Sequence, residues 1–144
     1  MNRKALIPCI LLIASHSVSF AQGSTIAALV KKGVDAYVKE DATAAMKAWV
    51  GGSALEGNTQ AMTQANMLRQ VEDFYGKPTG FDVVAEVTLS PRARLLYFAI
   101  NYNRGALFCR FQAFEAKPGQ WVVNEVKFHT EANNIFPSSL LAPH

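Results

Sequence analysis

Residues 81–130 decide the fold, and they read FDVVAEVTLSPRARLLYFAINYNRGALFCRFQAFEAKPGQWVVNEVKFHT. Apolar-rich segments alternate in this stretch with short segments that hold the proline or glycine typical of tight turns. The strands predicted from this pattern span residues 81–89, 92–102, 106–116 and 121–130. Because short turns connect strands that run in opposite directions, the sequence predicts a four-stranded antiparallel meander.

The turns also predict which side chains face the same way, since a shift of one residue exchanges the two faces of a strand. The predicted turns lie at residues 90–91, 104–105 and 117–120. They place one row of side chains opposite each other across the sheet: Phe81, Ile100, Cys109 and Phe128. The face that contains this row is apolar apart from Asn124. We expect the helices to cover this inner face, which is formed by Phe81, Val83, Ala85, Val87, Leu96, Phe98, Ile100, Leu107, Cys109, Phe111, Ala113, Val122, Asn124, Val126 and Phe128.

The opposite, outer face of the predicted sheet is more apolar than a fully solvated surface. Its apolar side chains gather at one end and form what we call the outer aromatic patch: Leu95, Tyr97, Phe114, Trp121 and Val123. Aromatic residues with little charge between them are typical of the centre of a protein interface. Three coverings are compatible with the sequence: the C-terminal segment 135–141, a second copy of the chain in a homodimer, or another protein.

The first half of the chain predicts three helices, at residues 26–38, 42–50 and 59–75. Each range has apolar residues at the spacing of one helical stripe, and Asp41 is a suitable N-cap for the second helix. On the third helix we expect one apolar side, formed by Met62, Met67, Leu68, Val71, Phe74 and Tyr75. Together the segments predict an α+β fold in which N-terminal helices pack on a curved antiparallel meander.

The first 21 residues read as a secretory signal peptide. Arg3 and Lys4 supply a positive start, residues 5–14 are apolar, and Ser19 and Ala21 are small residues at a cleavage site. The apolar run is too short for a helix that spans a membrane, which needs roughly 20 residues. We therefore predict a secreted or periplasmic location and no stable membrane insertion after cleavage. Residues 22–144 are predicted to form a single α+β domain with a short C-terminal tail.

Composition and charge exclude several classes of protein. With 50% hydrophobic and 17% charged residues, and a mean hydropathy of +0.08, the chain is unlike a disordered protein. Loss of Arg3 and Lys4 lowers the formal net charge from +3 to +1, which is too little for a nucleic-acid surface. His129 and His144 are not accompanied by the cysteine or carboxylate cluster of a zinc site. We therefore predict no metal, no cofactor and no nucleic-acid partner.

Helices followed by a long, curved four-strand meander resemble the cystatin-like architecture of the nuclear transport factor two-like superfamily. Residues 71–137 also resemble small secreted bacterial proteins of unknown function. The residues that carry the resemblance are Tyr75-Gly76-Lys77-Pro78, Arg94-Leu95-Leu96-Tyr97-Phe98, Asn101-Tyr102, Gly105, Phe111, Trp121-Val122 and Thr130-Glu131-Ala132. The resemblance implies a fold that enzymes, ligand binders and assembly domains share, so it does not select one function.

Enzymes of that superfamily have, by this resemblance, a cone-shaped cavity between helices and sheet with an acid or base on its inner wall. The predicted inner face holds no Asp, His or Lys, and an acid–base enzyme needs such a group in its pocket. We therefore expect a non-enzymatic domain that associates through the outer aromatic patch. Two alternatives remain open. One is a binder of a small apolar ligand, with Asn124 and Tyr102 as ligand-binding residues. The other is an isomerase-like enzyme that combines one of those residues with a helix carboxylate, either Asp35, Glu72 or Asp73.

Overall fold

Helices precede strands in the computed structural model, which describes residues 25–142. The helices are α1 (Thr25–Lys39), α2 (Ala42–Val50) and α3 (Thr59–Tyr75), and the strands are β1 (Pro78–Ser90), β2 (Ala93–Tyr102), β3 (Gly105–Lys117) and β4 (Gln120–His129). A 3₁₀ turn (Ala132–Asn134) and a short helix α4 (Ser138–Leu141) follow. The predicted α+β fold with a four-stranded antiparallel meander is confirmed. The predicted signal peptide and His144 lie outside the described residues.

Local capping sets the helix boundaries. The Asp41 carboxylate accepts a hydrogen bond from the backbone N–H of Ala44 at 2.8 Å, at the start of α2. The Asn58 side chain accepts one from Gln60 at 2.8 Å, at the start of α3. Gly76 follows the last residue of α3 with a φ of 83°, a conformation that glycine adopts without steric cost. Because these signals are local, α2 and α3 begin and end where the sequence predicts.

The register of β1 against β2 is as predicted only for the first part of β1. Val83 pairs with Phe98 on the inner face. A β-bulge between Val83 and Ala85 then adds one residue to β1, which exchanges the faces of the residues that follow. Beyond the bulge Ala85 pairs with Tyr97 and packs beside it on the outer face. The prediction that Ala85 and Val87 face the helices is therefore wrong.

Strands β2 and β3 pair two residues away from the predicted register. Ile100 lies opposite Leu107, whereas the prediction placed it opposite Cys109, because residues 103–104 rather than 104–105 form the turn. A shift of two residues leaves every side chain on its original face. The predicted inner-face residues of both strands are confirmed as buried: Leu96, Phe98, Ile100, Leu107, Cys109, Phe111 and Ala113.

A bulge in β4 moves three of the predicted site residues. The register against β3 is as predicted up to Gln112 and shifts by one before Ala113, with Asn124 as the additional residue. Val123 therefore turns into the core and is fully buried, and Trp121 packs against the same core. Asn124 is exposed. The predicted placement of Asn124 on the inner face, and of Trp121 and Val123 on the outer face, is wrong because a single extra residue reverses the alternation.

An aromatic cluster fills the space between the helices and the sheet. Trp49 of α2 packs edge-on against Phe111, with 5.3 Å between ring centroids, and lies 5.9 Å from Phe128. Its indole Nε1 donates a hydrogen bond to the Val30 carbonyl of α1 at 3.1 Å. The two helices approach this closely because residue 33 is glycine, where a Cβ would lie 2.0 Å from Trp49 Nε1. These contacts hold α1 and α2 together above the sheet.

The C-terminal tail, residues 132–142, covers the middle of the outer sheet face. Phe136 packs edge-on against Tyr97 and Phe108, at centroid distances of 5.8 and 5.4 Å. Ile135 belongs to the same cluster, and both Ile135 and Phe136 are buried. Of the three coverings that the sequence left open, the tail is the one that lies over Tyr97.

Candidate functional site

The buried Tyr102 belongs to a hydrogen-bond chain that ends on the protein itself. Its hydroxyl donates to the Tyr37 hydroxyl of α1 at 3.2 Å, and Tyr37 donates to the Leu68 carbonyl of α3 at 2.9 Å. Burial raises the pKa of Tyr37 to about 12. Burial also raises the pKa of Tyr102, and the hydrogen bond to Tyr37 adds to the effect. The pair ties α1, α3 and β2 together, and Asn124 on the exposed side of β4 does not meet it.

The tyrosine pair predicts a loss of stability in alkali. Unfolded phenols ionise near their ordinary pKa of 10.0, whereas the folded protein keeps Tyr37 protonated up to about pH 12. The stabilisation is therefore complete below pH 10 and is lost as the pH rises through 12, because ionisation then favours the unfolded chain. We expect the free energy of unfolding in urea to fall above pH 10, and to fall less steeply in Tyr102→Phe. Ultraviolet difference spectra in which all four tyrosines ionise near pH 10 without unfolding would contradict this.

The outer aromatic patch is not a continuous surface. Tyr97 lies beneath the tail, whereas Val123 is in the core. Trp121 packs on the inner side, and Leu95 is half-buried beside the tail. Phe114 remains 37% exposed. The structure therefore divides the five residues of the predicted patch: Leu95 and Tyr97 lie by the tail, Trp121 and Val123 join the core, and Phe114 stays exposed.

An apolar groove opens on the helical layer between α2 and α3, and we call it the α2–α3 groove. It has a volume of about 320 Å³. Met46, Val50 and Ala65 are buried at its floor, and Met62 forms a lip with an exposed fraction of 60%. The other lining residues are Thr43, Lys47, Glu56, Gly57, Asn58 and Ala61. The groove is thus open to solvent, with an apolar floor and polar groups at its rim.

The groove arises from the side chains on two facing helices. Its α2 wall consists of residues 43, 46, 47 and 50, and its α3 wall of residues 58, 61, 62 and 65, so each wall is one helical stripe. Large side chains on facing stripes would fill the space between two packed helices. Ala61 and Ala65 end at Cβ, and the space opposite Met46 and Val50 therefore stays open.

Polar side chains at the rim mostly have partners within the protein. Thr43 accepts a hydrogen bond from Arg69 of α3, and Asn58 caps the start of α3. The Glu56 carboxylate accepts a hydrogen bond from a backbone N–H of the preceding turn at 2.9 Å. Within residues 25–142, the Lys47 ammonium makes neither a hydrogen bond nor an ion pair. Lys47 is therefore the one cation of the groove lining, and its ammonium has no partner among the described residues.

A second groove of about 360 Å³ lies on the other side of α3, near the end of β4. It is lined by Met67, Gln70, Val71, Phe74, Tyr75 and Thr130, and Phe74 is 79% exposed. Of the predicted apolar side of α3, Leu68 and Val71 are buried, whereas Met62 and Phe74 are exposed. Every methionine within residues 25–142 borders one of the two grooves.

Two carboxylates that the sequence offers as catalytic groups, and the thiol of the chain's described cysteine, lie away from both grooves. Asp35 pairs with Lys31 at 2.5 Å on the exposed side of α1, and Glu72 pairs with Lys77 at 2.6 Å. Cys109 is fully buried, and burial raises the pKa of its thiol. A reactive thiol needs exposure and a lowered pKa. Asp35, Glu72 and Cys109 therefore line neither groove, whereas the carboxylate of Glu56 lines the α2–α3 groove.

Comparison of the chain with protein-family models, with curated proteins and with solved structures finds no match. Among residues 25–142, no helix is both long enough and apolar enough to cross a membrane. The same part of the chain contains no group of three or more His, Cys, Asp or Glu side chains placed to hold a metal ion. A function must therefore be inferred from the geometry of the grooves and of the sheet surface.

Proposed function

We propose that this protein is a non-enzymatic secreted or periplasmic domain that binds a small apolar ligand in the α2–α3 groove. The observation that carries the proposal is the contrast between the buried apolar floor of the groove and its exposed apolar lip, Met62. Removal of this exposed methionine and the apolar floor beside it from water is favourable, because burial of apolar surface lowers the free energy. The proposed ligand would cover both.

The size and lining of the groove support this assignment. A volume of about 320 Å³ falls within the range of roughly 300–1,000 Å³ found for small-molecule sites. Met46 and Met62 contribute flexible, polarisable side chains, which adapt to guests of different shape. Polar groups lie at the rim rather than on the floor, so an apolar guest would leave few polar atoms unsatisfied.

The non-enzymatic part of the proposal is supported by how the candidate catalytic groups are used. Tyr102 and Tyr37 are committed to a hydrogen-bond chain that ends on the Leu68 carbonyl. The single carboxylate of the groove lining, Glu56, is held by the backbone of the turn before α3. General acid–base chemistry needs a group that can reach the ligand and exchange a proton with it, and neither arrangement favours that.

The location and the superfamily belong to the same proposal. The charged start, apolar run and small residues of the first 21 positions support secretion. The order of helices followed by an antiparallel meander supports a likeness to the nuclear transport factor two-like superfamily. Its members keep their cavities between helices and sheet, by the resemblance described above. Here Trp49, Phe111 and Phe128 occupy much of that space, and the proposed site lies between two helices instead.

The proposal is tested with Nile red, a neutral apolar dye that fluoresces when it leaves water. In Met62→Asp, a carboxylate replaces the apolar lip, and we expect affinity for the dye to fall about tenfold or more. Met62 is 60% exposed, so the substitution should leave the unfolding temperature nearly unchanged.

Val38→Asp is the matched control, because Val38 is 50% exposed on α1 and does not line the groove. The proposal requires that this variant bind the dye as the unmodified protein does. Equal loss in both variants, or no dye binding by the unmodified protein, would overturn it.

Self-association is the second candidate, supported by apolar side chains that the tail leaves uncovered. Val87 and Leu89 of β1 and Phe114 of β3 are exposed near the end of the sheet where β1 turns into β2. This surface is smaller than the outer aromatic patch, because Tyr97 lies under Phe136 and Val123 lies in the core. The α2–α3 groove is therefore the better supported site.

A further inference from the structure

We propose that the guest of the α2–α3 groove is an amphiphile with one apolar chain and an anionic head group, held by Lys47. The inference rests on the proposed function and names the class of ligand. It follows from which polar groups around the groove already have partners and which one does not.

Four polar side chains line the groove: Thr43, Lys47, Glu56 and Asn58. Thr43 is engaged by Arg69, Asn58 by the start of α3, and Glu56 by the backbone of the turn that precedes it. Lys47 alone of the four makes no hydrogen bond or ion pair within the described part of the chain. In contrast, Lys31 and Lys77 each have a carboxylate partner. The rim therefore presents one cation without a partner, together with the negative charge of Glu56, which its backbone hydrogen bond does not neutralise.

Lys47 is placed to bind the charged head group of a ligand whose apolar chain lies in the groove. It lies between Met46 and Val50 on the α2 wall, so its aliphatic stem can extend the apolar surface while its ammonium stays in water. An acyl chain in the groove would contact Met46, Val50 and Ala65. A carboxylate or sulfate at the end of that chain would reach the ammonium at the rim, where charge pairing adds a modest preference.

The length of the groove favours a single chain. Its α2 wall runs from Thr43 to Val50, about 10 Å at 1.5 Å per residue. Its volume of about 320 Å³ is at the small end for ligand sites. A soluble single-chain acid fits these dimensions, and we take that as the source of the anionic head.

Displacement of Nile red by decanoate and by decanol distinguishes the contribution of the head-group charge to the affinity from the contribution of the apolar chain. Both probes carry the same number of carbons, and only decanoate is anionic. In Lys47→Met, which keeps the stem and removes the charge, we expect the ratio of decanoate affinity to decanol affinity to fall about three- to fivefold. Lys39→Met removes an exposed charge from the end of α1, outside the groove, and should leave the ratio unchanged.

The outcomes distinguish this inference from the proposed function. A ratio unchanged in Lys47→Met, an equal fall in Lys39→Met, or failure of decanoate to displace bound dye would overturn the inference while the apolar groove stands. If Nile red does not bind the unmodified protein, the proposed function fails and the inference fails with it. A selective fall in Lys47→Met that disappears at high ionic strength would support the charge pairing.

Discussion

Gly33→Ala is expected to lower the free energy of unfolding by about 3 kcal/mol or more, and to leave little folded protein if the fold is only marginally stable. A Cβ at this position would lie 2.0 Å from Trp49 Nε1 and 2.3 Å from its Cδ1. Trp49 is fully buried and cannot swing into solvent. Either the indole gives up its hydrogen bond to Val30 and its contact with Phe111, or α1 moves away from α2.

The measurement is urea unfolding followed by circular dichroism. Gly80→Ala in β1 is the control, because a Cβ there would meet no atom within 4 Å, and it should be close to neutral. If Gly33→Ala gives no soluble protein, the double variant Gly33→Ala/Trp49→Leu is compared with Trp49→Leu alone. Because leucine at position 49 removes the clash, the alanine at position 33 should then cost little. A well-folded Gly33→Ala with unchanged stability would refute the close approach of the two helices.

Phe136→Ala is expected to cost about 3 kcal/mol, because it removes a buried ring that contacts both Tyr97 and Phe108 on the outer sheet face. The loss uncovers two aromatic side chains at once. We therefore also expect the variant to associate at concentrations at which the unmodified protein does not change its mass, since larger exposed apolar patches promote association.

Thermal unfolding measures the first effect and light scattering the second. Leu141→Ala serves as the comparison, because Leu141 belongs to the same tail and is 43% exposed. It should cost less than about 1 kcal/mol and leave the mass unchanged. Equal effects of the two variants on stability and mass would contradict the prediction, because they would mean that the contacts of Phe136 neither stabilise the fold nor protect the outer face from association.

Local signals explain why most of the fold could be predicted. Asp41 at the start of α2 and Gly76 after α3 act through their own backbone neighbours, and the turn residues act in the same way. The bulges of β1 and β4 have no comparable signal, because the extra residue differs little from its neighbours in composition. Asn124 looked like an interior polar group for this reason, although a bulge places it outside.

The candidate site was harder to predict than the fold, because the groove is a space between α2 and α3 that the side chains of the two helices leave open. Met62 and Phe74 belong to the predicted apolar side of α3, but of the residues on that side the structure buries only Leu68 and Val71. The small size of Ala61 and Ala65 opposite α2 is visible in the sequence only once the facing of the helices is known. The sequence allows the tail as one of three coverings of the outer face, and the contacts of Phe136 with Tyr97 and Phe108 show that the tail lies there.

The turn between β2 and β3 has a consequence for how the chain reaches its native state. An isolated β2–β3 hairpin slipped by two residues would offer the same apolar side to the helices, so burial alone discriminates weakly between the two alignments. Contacts with the end of α3 distinguish the two alignments more strongly. The Arg104 N–H donates a hydrogen bond to the Tyr75 carbonyl at 2.9 Å, and the absence of a side chain at Gly105 leaves room for the Tyr75 ring. Only the native alignment of the strands makes both of these contacts, so the packed helix stabilises it over the alignment that is slipped by two residues.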